Sequence, residues 1–194
     1  MTARRVTGLV LAGGRSSRFG RDKLAVRIDG RTLLDSAIDG VTPAATEILV
    51  VAAPDGAPEL PDDARLVHDP IAFEGPLAGV AAGLRAAREP IVLVVGGDMP
   101  TLVGAVIDSM LAALDAPGVE AVVLEHEGRA RPLPIAMRRD PALAAANVLL
   151  ADGERRLRAL IETLETSVIP EATWRGLDPY AMTVRDIDTP ADLE

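Results

Sequence analysis

Short β-branched and aliphatic runs alternate with longer helical stretches along this sequence. That alternation restricts the chain to βαβ units on a mostly parallel sheet. The runs fall at residues 6–11, 47–52, 65–68, 91–95, 119–124, 134–138 and 166–169, with helices expected at 32–41, 77–88, 101–114, 141–151 and 154–164. Residues 6–11 and 91–95 are almost wholly apolar, as strands covered on both faces must be. Thr101 is placed to cap the helix after Pro100, and Asp152-Gly153 separates the last two helices. Residues 54–63, rich in Pro and Asp, read as a surface loop. No internal repeat, low-complexity tract or linker interrupts the 194 residues, so one α/β domain with a Rossmann-like, doubly wound, mostly parallel sheet is expected over 1–194.

Composition narrows the function classes. Aromatic residues make up only 2% of the chain, so the core must be aliphatic. Cysteine is absent, which excludes disulfides, thiolate metal sites and cysteine nucleophiles. The apolar run near the N-terminus breaks at Gly13-Gly14, too early for a signal-peptide core or a membrane span. A cytoplasmic place, with no membrane partner, is the expectation. A net charge of −9 argues against a broad nucleic-acid surface. Yet four of the 20 basic residues, Arg15, Arg18, Arg21 and Lys23, fall within nine positions. Such a cluster in a glycine-rich loop either binds an anion or is a solvated basic loop, and charge alone does not separate the two.

The loop follows the first apolar run directly: Leu11-Ala12-Gly13-Gly14-Arg15-Ser16-Ser17-Arg18-Phe19-Gly20-Arg21-Asp22-Lys23. Its glycines let main-chain N–H groups approach phosphate oxygens. Arg18 can fork onto the β- and γ-phosphates of a nucleoside triphosphate, while Lys23 offers a point charge nearer the reaction. The spacing fits neither a Walker loop nor a dinucleotide fingerprint. A tight turn with arginines facing water would explain Gly-Gly alone, but not the whole pattern.

This pattern, Leu-Ala-Gly-Gly-x-Ser-x-Arg-x-Gly-x-Asp-Lys, resembles the signature of the molybdenum-cofactor guanylyltransferases, the MobA-like branch of the nucleotide-diphospho-sugar transferase type. The resemblance continues through His68-Asp69-Pro70, Gly75-Pro76-Leu77-Ala78-Gly79 and Gly97-Asp98-Met99-Pro100. It extends to Arg131-Pro132-Leu133-Pro134-Ile135-Ala136, Gly153-Glu154-Arg155-Arg156 and Asp186-Ile187-Asp188-Thr189-Pro190. It implies nucleotide contacts from Leu11, Ala12, Gly13, Gly14, Lys23, Asp69, Gly79 and Asp98, with Arg18, Lys23 and Asp98 acting in catalysis. It also implies Mg²⁺ on Asp98. Family members usually carry Asn-x-Asn-Thr-Pro where this chain has Asp186-Ile187-Asp188-Thr189-Pro190, and usually Asn where Ala53 stands.

From the residues themselves, Asp98 lies just beyond an apolar strand, where it can hold a metal or cap a helix starting near Thr101. Asp186 and Asp188 both offer oxygen, so either can complete the Mg²⁺ shell as a metal ligand or contact an acceptor, and Asp188 can equally cap a helix at Pro190. Arg155 and Arg156 open a helix, where they either meet an acceptor phosphate or face water. His68 is expected to position the Asp69 loop, and His126 to sit in a polar turn. With no Ser–His or Cys–His constellation visible, alignment and charge neutralisation are the expected chemistry. The resemblance implies GMP transfer from GTP to a molybdopterin-type acceptor. Alternatives are a CTP-using enzyme, another phosphorylated acceptor such as a sugar phosphate or phospholactate, and a non-catalytic nucleotide-binding regulator. Homo-oligomers and transient contacts with cofactor-pathway proteins also remain open.

Overall fold

The computed structural model describes residues 4–13, 23–28, 30–69, 75–187, 189 and 192. Its strands are β1 (Val6–Leu11), β2 (Arg27–Ile28), β3 (Arg31–Thr32), β4 (Glu47–Ala52), β5 (Ala64–His68), β6 (Ile91–Gly96), β7 (Ala121–His126), β8 (Arg129–Arg138) and β9 (Thr166–Ile169). The helices are α1 (Leu33–Val41), α2 (Pro76–Ala86), α3 (Gly104–Ala113), α4 (Arg139–Ala151), α5 (Leu157–Thr163) and the short α6 (Glu171–Trp174). Seven strands form one sheet in the order β5-β4-β1-β6-β8-β7-β9, while β2 and β3 pair apart from it. All neighbouring pairs in the large sheet are parallel except those made by β8, which runs against both β6 and β7.

The expected doubly wound architecture is present. Alternate residues of the central strands point to opposite faces. Val6 and Val10 of β1 pack with α1 and α3 residues such as Leu34, Ile38, Val106 and Met110. Leu9 of the same strand packs with Leu77, Val80 and Leu84 of α2 and with α4 and α5 residues. Burying each such aliphatic side chain contributes roughly 1.5–3 kcal/mol. The sole tryptophan, Trp174, joins the first layer and is fully buried, its Nε1 donating to Glu125 O at 2.8 Å.

Several boundaries differ from the sequence expectation, each for a visible reason. Helix α3 starts at Gly104 rather than Thr101, because the Thr101 hydroxyl donates to Met182 O at 2.9 Å instead of capping. Asp98 therefore caps no helix at Thr101. Helix α5 starts at Leu157, after Arg155 and Arg156 rather than at Glu154. His126 is the last residue of β7, not part of a turn, and pairs with Arg129. Glu127 and Gly128 make the two-residue turn, with φ of 52° and 71°. Helix α1 begins with a reciprocal cap, in which Thr32 accepts from Asp35 N and Asp35 from Thr32 N.

Helix α2 lies against β1 so closely that a Cβ added at Gly83 would overlap the Leu9 side chain. Leu9 is fully buried and has little room to yield. Gly83→Ala is expected to destabilise the fold by about 1–3 kcal/mol through overpacking. Thermal melting of the variant beside the parent checks this, and an unchanged Tm would show that Leu9 repacks freely.

Candidate active site

Parallel strands leave their carboxyl ends at one edge of the sheet, and the loops leaving β1, β4, β5 and β6 meet there. The end of β1 is tied to its neighbours on both sides. Gly97 N donates to Leu11 O at 3.0 Å, and Ala12 N donates to Val51 O at 2.7 Å. These two bonds fasten Leu11 and Ala12 to the neighbouring strands, and Leu11 O keeps a second lone pair. Gly13 follows, and a Cβ there would lie 3.9 Å from Ala53 N. Gly14 and Arg18, both expected in the site, lie outside the described residues.

The chain re-enters at Lys23–Ala25, a single 3₁₀ turn. Lys23 Nζ donates to Asp98 Oδ2 at 2.7 Å and to Ile187 O at 3.2 Å. Ile187 N in turn donates to Asp98 O at 2.9 Å. Both charged side chains keep partial exposure, 19% for Lys23 and 26% for Asp98. The structure thus joins Lys23 and Asp98, two residues that the sequence separately marks for the site, and adds Ile187 through its backbone. Asp98 Oδ1 sits over Gly96, where any Cβ would overlap it.

The donor set at Asp98 suits Mg²⁺ of one kind. Among the described residues no group of three His, Cys, Asp or Glu side chains could hold a metal. A single carboxylate fits Mg²⁺ that arrives with substrate phosphates, the usual arrangement for this ion, and does not fit an all-protein cage. Asp188, expected as a second ligand, lies outside the described residues.

Asp69 and Gly79 meet on the α2 face. Asp69 N donates to Ala52 O at 2.9 Å, continuing the β4–β5 ladder. A Cβ at Gly79 would find Asp69 Oδ2 at 3.8 Å and Leu11 Cδ2 at 3.7 Å, ordinary contact distances. His68 Nδ1 lies 3.1 Å from Ala53 O, a positioning contact between neighbouring loops. A separate cleft of about 520 Å³ is lined by Ala12, Leu24, Arg27, Leu34, Ala53 and Glu59, among others. Its volume suits a nucleoside. However, Leu34 belongs to the α1 face, and neither Asp69 nor Gly79 lines this cleft. The expected base contacts Ala12, Ala53 and Gly79 are therefore split by the edge of β1 and β4.

Residues 8–168 match the MobA-like NTP transferase domain. The chain belongs to this family. It is 38% identical to a probable molybdenum cofactor guanylyltransferase of Chloroflexus aggregans, over 97% of this chain and 92% of that protein. It is 40% identical to the molybdenum cofactor guanylyltransferase of Burkholderia ambifaria, over 79% of this chain and 80% of the relative. The crystal structure of molybdopterin-guanine dinucleotide biosynthesis protein A from Archaeoglobus fulgidus superposes with a TM-score of 0.80 at 22% identity, covering 96% of this chain and 94% of that one. A 2-C-methyl-D-erythritol 4-phosphate cytidylyltransferase from Thermus thermophilus gives 0.71 at 19% identity, covering 95% and 94% respectively. These two likenesses bear on the fold. The MobA-like chain is a nucleotidyltransferase, and no helix among its described residues is long and apolar enough to cross a membrane.

Two features of this MobA-like site escaped sequence reasoning. One is Ile187, which acts through backbone atoms and carries no side-chain signal. The other is Glu154, whose carboxylate accepts from Arg155 N at 2.8 Å, Arg156 N at 2.9 Å and the Arg156 guanidinium at 2.6 Å. These bonds, led by the Arg156 side chain, hold the Glu154 carboxyl at about 2, down from 4.5. Arg156 is thus folded back onto Glu154 rather than pointing free. The turn matters because Leu77 N donates to Arg155 O at 3.3 Å, and a Cβ at Gly75 would meet that carbonyl at 2.8 Å. The Glu154 turn therefore fixes the start of α2.

Because the folded carboxyl titrates lower than the unfolded one, its contribution is present above pH 4.5 and is lost as pH falls toward about 2. Glu154→Gln is expected to melt below the parent at neutral pH, with the gap closing across that window. Melting curves at graded pH check this, and a gap that stays constant would mean the carboxylate's charge plays no part.

Proposed function

We propose that this chain transfers GMP from GTP to the phosphate of a molybdopterin cofactor, giving the guanine dinucleotide form and pyrophosphate. The observation that carries the reading is the Lys23–Asp98 pair at the carboxyl ends of β1 and β6. It stands in a chain whose relatives bear the guanylyltransferase name over most of their length. The cysteine-free composition fits a cytoplasmic place for this reaction.

The chemistry asks for alignment and charge neutralisation rather than a base. A phosphate monoester has its second pKa near about 6, so it arrives largely ionised at neutral pH. One of its oxygens attacks the α-phosphorus, the bond to the β-phosphate bridge breaks, and pyrophosphate departs with that electron pair. Asp69 and Gly79 bound the nucleoside, and the main chain around Gly13 borders the phosphates. Lys23 lies where charge builds on the α-phosphate. Two unit charges about 4 Å apart interact by ~4 kcal/mol at an effective dielectric of ~20. Asp98 holds Lys23 at that point, and Ile187 holds both. Asp98 would hold Mg²⁺ together with the triphosphate, and the ion would add to the neutralisation of the phosphates.

Titration calorimetry with GTP, CTP, ATP and UTP in Mg²⁺ tests the reading. Preferential GTP binding is expected, and preference for CTP would move the chain to a cytidylyl reaction. Asp98→Ala is expected to reduce pyrophosphate release with GTP and molybdopterin by at least ~100-fold. Full Mg²⁺-dependent turnover in that variant would remove Asp98 from the mechanism.

Gly79→Ala offers a contrast with Gly83→Ala. Its Cβ meets only ordinary contacts within the protein, so Tm should hold. Nucleotide affinity should drop severalfold, and unchanged affinity would place the base elsewhere.

A further inference from the structure

We propose that Arg131 is the cation that receives the acceptor's phosphate, with Asp186 as the intramolecular anion it gives up in doing so. The inference rests on the phosphate-transfer reading above and extends it to the second substrate.

Arg131 lies near the start of β8, the strand that flanks β6 on the side away from β1. Lys23 and the glycine-rich loop follow β1, and Asp69 and Gly79 lie beyond it, beside β4. The nucleotide groups therefore occupy one flank of Asp98, and Arg131 occupies the other. In-line displacement needs this separation, because the attacking oxygen must approach opposite the departing pyrophosphate.

The bonding of Arg131 leaves its charge poorly used. Nη2 reaches Val184 O at 3.4 Å, near the limit for a hydrogen bond, and Asp186 Oδ1 only at 3.6 Å. The second contact is an ion pair without a hydrogen bond. Nε is buried and has no hydrogen-bond partner among the described residues. Buried donors are almost always satisfied, so an unmet N–H on a guanidinium calls for an acceptor. Nε and Nη2 form one edge of the guanidinium, matched to two phosphate oxygens. Turning outward onto a phosphate relieves the unmet Nε and exchanges a loose carboxylate for a charge-assisted fork. The side chain keeps 35% exposure, and Asp186 keeps 47%, so both have room to move apart.

Position relative to the reacting groups supports the assignment. Asp186 adjoins Ile187, whose N–H binds Asp98 O and whose carbonyl receives Lys23 Nζ. Arg131 thus contacts the same short segment that ties Lys23 to Asp98. Two other arginines of the sheet are committed. Arg138 donates to Val119 O at 2.9 Å and Leu114 O at 2.7 Å, and Arg65 to Glu47 and Ala86 O, both at 2.8 Å.

The probe is phenyl phosphate, titrated by NMR into protein saturated with α,β-methylene GTP and Mg²⁺. Arg131→Ala is expected to weaken the probe at least tenfold while leaving affinity for the GTP analogue within twofold. Arg131→Lys should recover part of the loss, and Asp186→Asn should tighten the probe severalfold by removing the internal competitor. Thermal melting reports folding; if Arg131→Ala does not fold, the Lys and Asp186→Asn variants carry the test. Absence of probe binding by the parent overturns the proposal. So does unchanged probe binding in Arg131→Ala, or an equal loss of nucleotide analogue. Probe binding through Arg131 without pyrophosphate release from GTP and molybdopterin would instead overturn the guanylyltransferase reading and leave the Arg131 assignment standing.

Discussion

The site depends on one three-way contact, in which Lys23, Asp98 and Ile187 hold one another across the end of β6. The bonds are 2.7 Å from Lys23 Nζ to Asp98 Oδ2, 3.2 Å from Lys23 Nζ to Ile187 O and 2.9 Å from Ile187 N to Asp98 O. The three residues come from the start, middle and end of the chain, so the contact forms only when the whole sheet is assembled. Every other element of the site is arranged around it. The loop after β1 reaches it through Leu11 O and Gly97 N, and Arg131 reaches the same segment through Asp186. In a partly buried ion pair the cost of desolvating two charges offsets much of their attraction, so its net contribution to stability is small. Its value is placement of a cation and a carboxylate where β1 and β6 end.

The two edges of the sheet use charge differently. At the amino edge, Glu47 accepts from Thr7 Oγ1 at 2.7 Å, Arg65 Nη2 at 2.8 Å and Arg88 N at 2.9 Å. Desolvation alone would raise its titration, but the bonds from Arg88, Thr7 and Arg65 outweigh that and hold it below the usual carboxylate range. This cluster is satisfied and closed, and it fastens β1, β4, β5 and the end of α2 together. At the carboxyl edge Arg131 is held more loosely, with Nη2 reaching Val184 O only at 3.4 Å and Nε buried without a hydrogen-bond partner among the described residues. A fully bonded network stabilises a fold, whereas donors left poorly matched are available to a substrate.

Several strands are legible in the sequence because their signal is local. Residues 6–11, 47–52 and 166–169 match β1, β4 and β9, where apolar runs end at turn residues. Strand direction is not local. Nothing in residues 129–138 announces that β8 runs antiparallel, and the two-residue turn at Glu127-Gly128 passes for an ordinary polar loop. Thr101 was legible as a cap in isolation, but Met182 O, 81 positions away, takes its hydroxyl. The site divides in the same way. Lys23 and Asp98 stand in recognisable motifs beside apolar strands. The parts played by Ile187, Glu154 and Arg131 depend on contacts that form only after the strand order is set.

The chain must draw a polyanionic triphosphate although its own net charge is −9. Distance and screening resolve the conflict. The Debye length is about 8 Å at physiological ionic strength, so most of the surface acidic groups exert little force at the end of β6. Many surface charges also cancel locally, as in Arg4–Asp115, Arg5–Glu89 and Arg158–Glu162. What an approaching phosphate senses is the nearest few groups, and at this edge the described ones include Lys23 and Arg131. The excess negative charge then acts elsewhere on the surface, where it opposes the long polyanions that the same cations would otherwise attract. An acidic protein with a small basic edge thereby favours a compact phosphate ligand over a nucleic-acid backbone. Selectivity of this kind needs no dedicated residue; it follows from where the cations lie on the sheet.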